Sequence, residues 1–158
     1  MSGIRAAHHV GITVRSLEGS LAFYRDLLGF EVVFGWNPQA PYIGELVGYP
    51  EVDLHSVILR VPGSDVFLEL LEYRGVPATP VDGANANPGT VHLAFYVDDL
   101  EDLYARLTGH GVPALSPPVT PTIGPNRGGR AVYLVDPDGV RVELIQTARR
   151  FDEYTGEA

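Results

Sequence analysis

The chain has no cysteine and no lysine. Without cysteine there can be no disulfide, no thiol nucleophile and no thiolate metal ligand. Without lysine there is no Schiff-base chemistry and no phosphate loop of the Walker type, and all 11 basic residues are arginine. Basic charge is scarce beside 20 acidic residues, and the net charge is −9. Nucleic acid and anionic membranes, which are recognised by basic surface, are therefore not expected partners. No apolar run approaches the ~20 residues of a membrane span, and residues 1–8 lack the apolar stretch of a secretory signal. The expectation is a soluble, cytoplasmic protein. At 158 residues, 45% hydrophobic and 20% charged, the chain has the size and composition of one compact unit, or of two small modules sharing a core.

What is present is a repeat. Shifting the chain by 83 residues lays His92-Leu93-Ala94-Phe95-Tyr96-Val97 on His9-Val10-Gly11-Ile12-Thr13-Val14, and the register continues through Leu17 on Leu100 and Ala22 on Ala105. A second pair of segments matches at an offset of 74, with Val66-Phe67-Leu68-Glu69-Leu70-Leu71 on Val140-Arg141-Val142-Glu143-Leu144-Ile145. Each half reads as a strand with a histidine, a helix, and a last strand with a glutamate. Two histidines and two glutamates recurring at matching places are what a metal site built from duplicated halves needs.

Periodicity places these residues. In 9–14, Val10, Ile12 and Val14 face one way and His9, Gly11 and Thr13 the other. Ser16 suits the N-cap of a helix through 28, with Leu17, Leu21, Tyr24 and Leu28 as its buried stripe and Gly29 as a left-handed cap. Residues 31–36 read as a strand, 37–53 as a proline-broken loop, and 54–61 with 66–73 as a hairpin. Phe67, Glu69, Leu71 and Tyr73 share one face of its second strand. Residues 74–89 hold three prolines and three glycines and read as a linker. In the second module Val91, Leu93, Phe95 and Val97 alternate with His92, Ala94 and Tyr96. Asp99 caps a helix to about 110, with Leu100, Leu103 and Leu107 buried. A proline-interrupted edge strand over 112–119 and a loop over 120–129 follow. Residues 130–135 and 140–146 form a hairpin closed by Asp136-Pro137-Asp138-Gly139. The chain thus divides into a short lead (1–7), a first βαβββ module (about 7–73), the linker, a second βαβββ module (about 90–147) and a polar tail (148–158). The His-to-Glu interval is 60 residues in the first module and 51 in the second, and the surplus of 9 falls in 37–53, which is expected near the site.

A single strand histidine is more often a hydrogen-bonded core residue than a ligand. Two histidines and two glutamates coinciding with a repeat reverse that expectation for His9, Glu69, His92 and Glu143. His8 alternates away from His9 and reads as structural. His55 and His110 have no counterpart in the repeat, so surface or packing roles are expected. Glu72 points away from Glu69 and is expected to be solvated. Phe67, Tyr73, Tyr96 and Tyr133 either line a pocket or fill core, and Trp36 either walls a pocket or packs. Asn126 with Arg127 and Arg130 either holds an anionic group or forms a solvated loop.

Residues 9–14, Phe23-Tyr24-Arg25-Asp26-Leu27-Leu28-Gly29-Phe30, and Asp136-Pro137-Asp138-Gly139 followed by Val142-Glu143-Leu144 resemble the vicinal oxygen chelate superfamily, the glyoxalase/bleomycin-resistance/dioxygenase group. The resemblance spans roughly 7–147 within a single domain, 1–158. It implies an α+β fold in which tandem βαβββ modules form a cupped mixed sheet with helices outside. It implies that His9, Glu69, His92 and Glu143 bind one divalent metal ion (Zn, Ni, Co, Mn or Fe(II)), a donor set that suits those ions. It implies a small-molecule substrate and a homodimer, with modules pairing either within a chain or across two. Three functions are compatible with it. In a lyase or isomerase similar to glyoxalase I or an epimerase, an enediolate or enolate is stabilised on the metal, and Glu143 or Glu69 is the base. In an Fe(II)- or Mn-dependent dioxygenase of an aromatic substrate, His9, His92 and Glu143 are the ligands. The third is a metal-free small-molecule-binding or resistance protein. Phe67, Tyr96, Asn126, Arg127 and Tyr133 are the candidate substrate contacts.

Overall fold

The computed structural model describes residues 3–148 and residue 153. Residues 1–2 of the expected lead, and the expected polar tail apart from residues 148 and 153, lie outside the described residues. The chain is α+β and divides into two compact units, Met1–Pro80 and Val81–Ala158, the division falling inside the proline- and glycine-rich 74–89 stretch.

The first unit contains a four-stranded mixed sheet in the order β1-β4-β3-β2. Strand β1 (His9–Thr13) runs parallel to β4 (Phe67–Arg74). Antiparallel pairing then adds β3 (Asp53–Arg60) and β2 (Glu31–Trp36). The side-chain period of two sorts the sheet into faces. Ile12, Leu59, Leu68 and Leu70 are buried on one face, and each such burial stabilises by about 1.5–3 kcal/mol. His9, Gly11 and Glu69 share the other, because His9 pairs with Phe67 and Gly11 with Glu69.

Helix α1 (Leu17–Leu21) starts at Ser16, whose Oγ accepts from the Gly19 N–H at 3.4 Å, and continues as a π-helical stretch (Ala22–Leu27). The wider turn, in which the Leu28 N–H reaches the Phe23 carbonyl at 3.0 Å, alters the expected stripe. Ser20, Phe23 and Tyr24 become the buried residues, with the two rings edge to face, while Leu17, Leu21 and Leu28 are only half-buried. Gly29 closes the helix at φ 79°, as its left-handed position requires. The expected loop over 37–53 contains a further helix, α2 (Pro41–Val47), begun by Pro41 in its first turn and ended by Gly48 at φ 77°.

The second unit contains a three-stranded mixed sheet in the order β5-β7-β6. Strand β5 (His92–Tyr96) is parallel to β7 (Arg141–Gln146), which is antiparallel to β6 (Arg130–Val135). The edge strand expected over 112–119 is reduced to two isolated bridges, Ala114 with Leu134 and Val119 with Ala131. Pro113, Pro117 and Pro118 lack the N–H groups that a continuous ladder needs. Helix α3 (Leu100–Gly109) is capped by Asp99, whose carboxylate accepts from the Asp102 N–H at 3.0 Å, and it buries Leu100 and Leu107. The β6–β7 turn is held by Asp136, whose Oδ1 accepts from the N–H groups of Asp138 (2.9 Å) and Val140 (2.7 Å).

One tie recurs in both units. Glu72 Oε2 accepts from the Leu17 N–H at 2.8 Å, and Gln146 Oε1 accepts from the Leu100 N–H at 2.9 Å. Each satisfies an orphan donor at a helix N-terminus from the neighbouring strand. This corrects the expectation that Glu72 is solvated: a donor-rich helix end is the better partner for a carboxylate. Arg74 first, and the Leu17 N–H after it, hold the Glu72 carboxyl below its ordinary value. Among the described residues no helix is long and apolar enough to cross a membrane.

Candidate functional site

In each unit the first and last strands of the repeat bring one histidine to one glutamate. His9 Nε2 lies 3.1 Å from Glu69 Oε2, and His92 Nε2 lies 3.3 Å from Glu143 Oε2. The cause is register. In each parallel pair the glutamate sits opposite the residue two beyond the histidine, Gly11 or Ala94, so both ligand candidates emerge on one face. Both positions carry small residues, Gly11 and Ala94. A Cβ added to Gly11 would meet Leu71 Cδ1 at 3.2 Å.

The glutamate side chains are only 13% and 17% exposed. Among the described residues neither carboxylate meets an arginine, and neither unit by itself gathers three metal-ligating side chains. A half-enclosed carboxylate whose one ionic partner is an imidazole is a fitting donor for a divalent cation, which supplies the positive charge the protein does not.

The two pairs are held differently. Ser56 donates to Glu69 Oε1 at 2.8 Å, and the Trp36 indole N–H donates to Ser56 Oγ at 2.7 Å. In the second unit the Tyr133 hydroxyl donates to Glu143 Oε2 at 3.2 Å and stands 3.4 Å from His92 Nε2. Glu143 Oε1 accepts no hydrogen bond among the described residues. Burial first, and the Glu143 carboxylate after it, raise the Tyr133 phenol above its ordinary value. Tyr73, on the Glu69 face, is raised by burial and then by the charge of Glu69, and its ring meets Tyr49 at 6.0 Å.

His8 is not detached from the site as its alternation suggested. Its Nδ1 lies 2.7 Å from His9 Nδ1, so the imidazole of His9 is fixed from the side opposite its Nε2. The first strand begins only at His9, and the irregular backbone before it lets the His8 ring turn back. Ser56 is the residue that sequence reasoning missed. Its signal was a lone polar residue between Leu54 and Ile58 on one strand face, and it is almost wholly buried.

The other candidates are dispersed. Phe67 sits opposite His9 in the sheet, with the Arg60 guanidinium over its ring at 5.3 Å. Tyr96 pairs with Ile145 and is half-exposed. Asn126 and Arg127 belong to a turn in which the Arg127 N–H donates to the Gly124 carbonyl, and no hydrogen bond joins them to His92 or Glu143 among the described residues. Arg130 bonds Glu101 at the start of α3. His55 lies among Asn37, Asp53 and Arg74.

Comparison with known proteins matches residues 6–144 to the family model described as the Glyoxalase/Bleomycin resistance protein/Dioxygenase superfamily. The chain is 30% identical over 146 residues to a 2-epi-5-epi-valiolone epimerase from Actinomyces sp, covering 90% of this chain and 80% of that protein. It is 29% identical over 142 residues to a lactoylglutathione lyase from Salmonella typhimurium, covering 87% and 90%. It is 31% identical over 150 residues to a catechol-2,3-dioxygenase from Bacillus subtilis, of which it spans 43% while 91% of this chain is covered. A glyoxalase family protein from Bacillus cereus shares the fold, with a TM-score of 0.81 at 20% identity over 92% of this chain and 96% of that one.

Proposed function

Because the chain belongs to the Glyoxalase/Bleomycin resistance protein/Dioxygenase superfamily, we propose that it is a metal-dependent lyase or isomerase acting on a small molecule with a proton next to a carbonyl. The observation that carries this reading is the repeated pair: each unit sets one imidazole Nε2 beside one carboxylate oxygen, at 3.1 and 3.3 Å. His9 and Glu69 in the first unit, and His92 and Glu143 in the second, are the proposed ligands, for one divalent ion per chain. Such an ion supplies Lewis-acid stabilisation of negative charge developing on a substrate oxygen. Two glutamates rather than one favour proton transfer over oxygen activation, because the second can serve as ligand while the first acts as base.

The chain's own residues do the rest. Glu143 Oε1, which accepts no hydrogen bond among the described residues, has a lone pair to take the substrate proton. Tyr133, kept protonated, holds the other oxygen of that carboxylate and sets its orientation. Phe67, Tyr96, Asn126 and Arg127 are the proposed substrate contacts. The relatives that bear the names of an epimerase and a lyase support this class of chemistry.

A second reading is favoured by one observation. The Tyr133 hydroxyl beside His92 and Glu143 suits hydrogen bonding to an aromatic diol, and Glu69 Oε1 is already engaged by Ser56. On that reading the protein is a dioxygenase with His9, His92 and Glu143 as ligands of Fe(II) or Mn.

One experiment separates the two. A lyase or isomerase exchanges the substrate α-proton with deuterated solvent, consumes no O₂, loses about 10²–10⁴-fold in kcat on Glu143→Gln, since a positioned base is worth that much, and also loses activity on Glu69→Gln, which weakens a metal ligand. Oxygen uptake with catechols that survives Glu69→Gln and fails in Glu143→Gln defeats the first reading and establishes the second. We also propose a homodimer, which a strictly monomeric species in sedimentation would contradict.

A further inference from the structure

We infer that Ser56, oriented by the Trp36 indole, is a positioning residue that fixes which oxygen of Glu69 is presented beside His9. The inference rests on the reading of His9 and Glu69 as metal ligands. Its basis is a directional chain of hydrogen bonds. Trp36 Nε1 lies 2.7 Å from Ser56 Oγ, Ser56 Oγ lies 2.8 Å from Glu69 Oε1, and Glu69 Oε2 lies 3.1 Å from His9 Nε2. An indole N–H only donates, whereas a serine hydroxyl has one proton and two lone pairs. The indole therefore fills an acceptor site on Ser56 and leaves its proton to Glu69. With Oε1 taken, Oε2 is the oxygen left toward His9. Ser56 is 2% exposed, so water does not compete readily for these bonds.

The backbone builds this chain deliberately. Strand β2 pairs Glu31 with Arg60 and Val32 with Leu59, then slips by one residue so that Phe34 pairs with Ile58 and Trp36 with Ser56. Without the slip Gly35 would face Ser56, and the indole would point to the opposite side of the sheet. Ser56 itself sits opposite Leu71, one diagonal step from Glu69, whose direct partner is Ile58. Diagonal neighbours on one face are within reach of a long side chain such as glutamate. The second unit has no equivalent: the position opposite Ile145, which repeats Leu71, is Ala131.

The test uses the chain's one tryptophan as a reporter, in full-length protein, with Zn²⁺ alone as the probe. Groups that orient metal ligands typically contribute 10–100-fold to metal affinity. Ser56→Ala is expected to weaken Zn²⁺ binding by about 10-fold or more, Ser56→Thr to restore most of it, and Trp36→Phe to cause a smaller loss. The single indole N–H resonance of ¹⁵N-labelled protein is expected to move on Glu69→Gln in the parent background and to stay put on the same change in Ser56→Ala. Wild-type zinc affinity in folded Ser56→Ala, with zinc lost in His9→Ala, overturns the inference and leaves the ligand reading standing. Zinc binding untouched by His9→Ala defeats the ligand reading instead. The indole resonance then decides the inference alone, and its indifference to Glu69→Gln overturns it. If Ser56→Ala fails to fold, Trp36→Phe carries the affinity arm, and affinity equal to the parent's overturns the inference there.

Discussion

Glu69 and Glu143 occupy equivalent places in the two units, yet their oxygens are used in opposite ways. Glu69 divides its two: Oε1 accepts from Ser56, and Oε2 faces His9. Glu143 concentrates both partners on Oε2, which meets His92 and accepts from Tyr133, and leaves Oε1 without a protein donor among the described residues. The difference arises at two strand positions. Ile58 and Tyr133 both sit directly opposite the glutamate, and Ser56 and Ala131 both sit one diagonal step away. Each unit places its single hydrogen-bond donor at the position the other fills with an apolar side chain. A duplicated backbone therefore preserves where a ligand candidate stands, while the group that orients it is free to change. On the proposed reading Glu69 is the fixed donor, and Glu143 retains an oxygen without a protein donor among the described residues that can take the substrate proton.

The comparison can be broken most severely at the carboxylates themselves. Glu143→Gln is expected to lower kcat by about 10²–10⁴-fold, with substrate proton exchange as the measurement. Equal tolerance of Glu143→Gln and Glu69→Gln would remove the asymmetry between the two units. The repeated core offers a control of comparable size. Leu70 and Leu144 are matched across the repeat and fully buried or nearly so. Each Leu→Ala change should cost about 2–5 kcal/mol by denaturant unfolding, and a cost in one unit alone would mean that the two do not share a common packing scheme.

A smaller effect is expected at Tyr133. Tyr133→Phe removes the donor from Glu143 and should cost about 1 kcal/mol, read as a several-fold fall in kcat with the fold unchanged by circular dichroism. A Tyr133→Phe protein with parental kcat would leave the Glu143 orientation to other groups.

The smallest effect concerns the helix ties. Glu72 carries a charge where Gln146 does not. Its folded-state pKa lies below the ordinary value, so its stabilising contribution is full above the unfolded pKa and is lost as pH falls through the folded one. Parent protein should therefore lose stability on acidification below about pH 4.3, the ordinary glutamate value. Glu72→Gln, which copies the second unit's tie, should lose less over the same window in urea titrations. Identical acid profiles would show that the Glu72 charge is not what holds the Leu17 end.

The sequence by itself determined the duplication, the α+β class and most of the strands. Period two in 9–14 and 66–71 sets His9 apart from Val10, Ile12 and Val14, and Glu69 apart from Leu68 and Leu70, whatever the tertiary arrangement, because alternation is a property of the extended backbone. The caps at Ser16 and Asp99 and the turn at Asp136 were likewise legible, since a short polar side chain bonding a nearby N–H is a local event. Three of the features that were not legible depend on what a segment meets in space. The bridges left in place of the 112–119 strand form only where Ala114 and Val119 meet Leu134 and Ala131 of β6. The π-helical stretch buries two consecutive aromatics, Phe23 and Tyr24, edge to face. The Trp36–Ser56–Glu69 chain spans residues 36 to 69 and exists only because a one-residue slip in β2 turns the indole toward the serine. Hydrogen bonds between side chains on different strands are set by register, and register is decided when the strands pair.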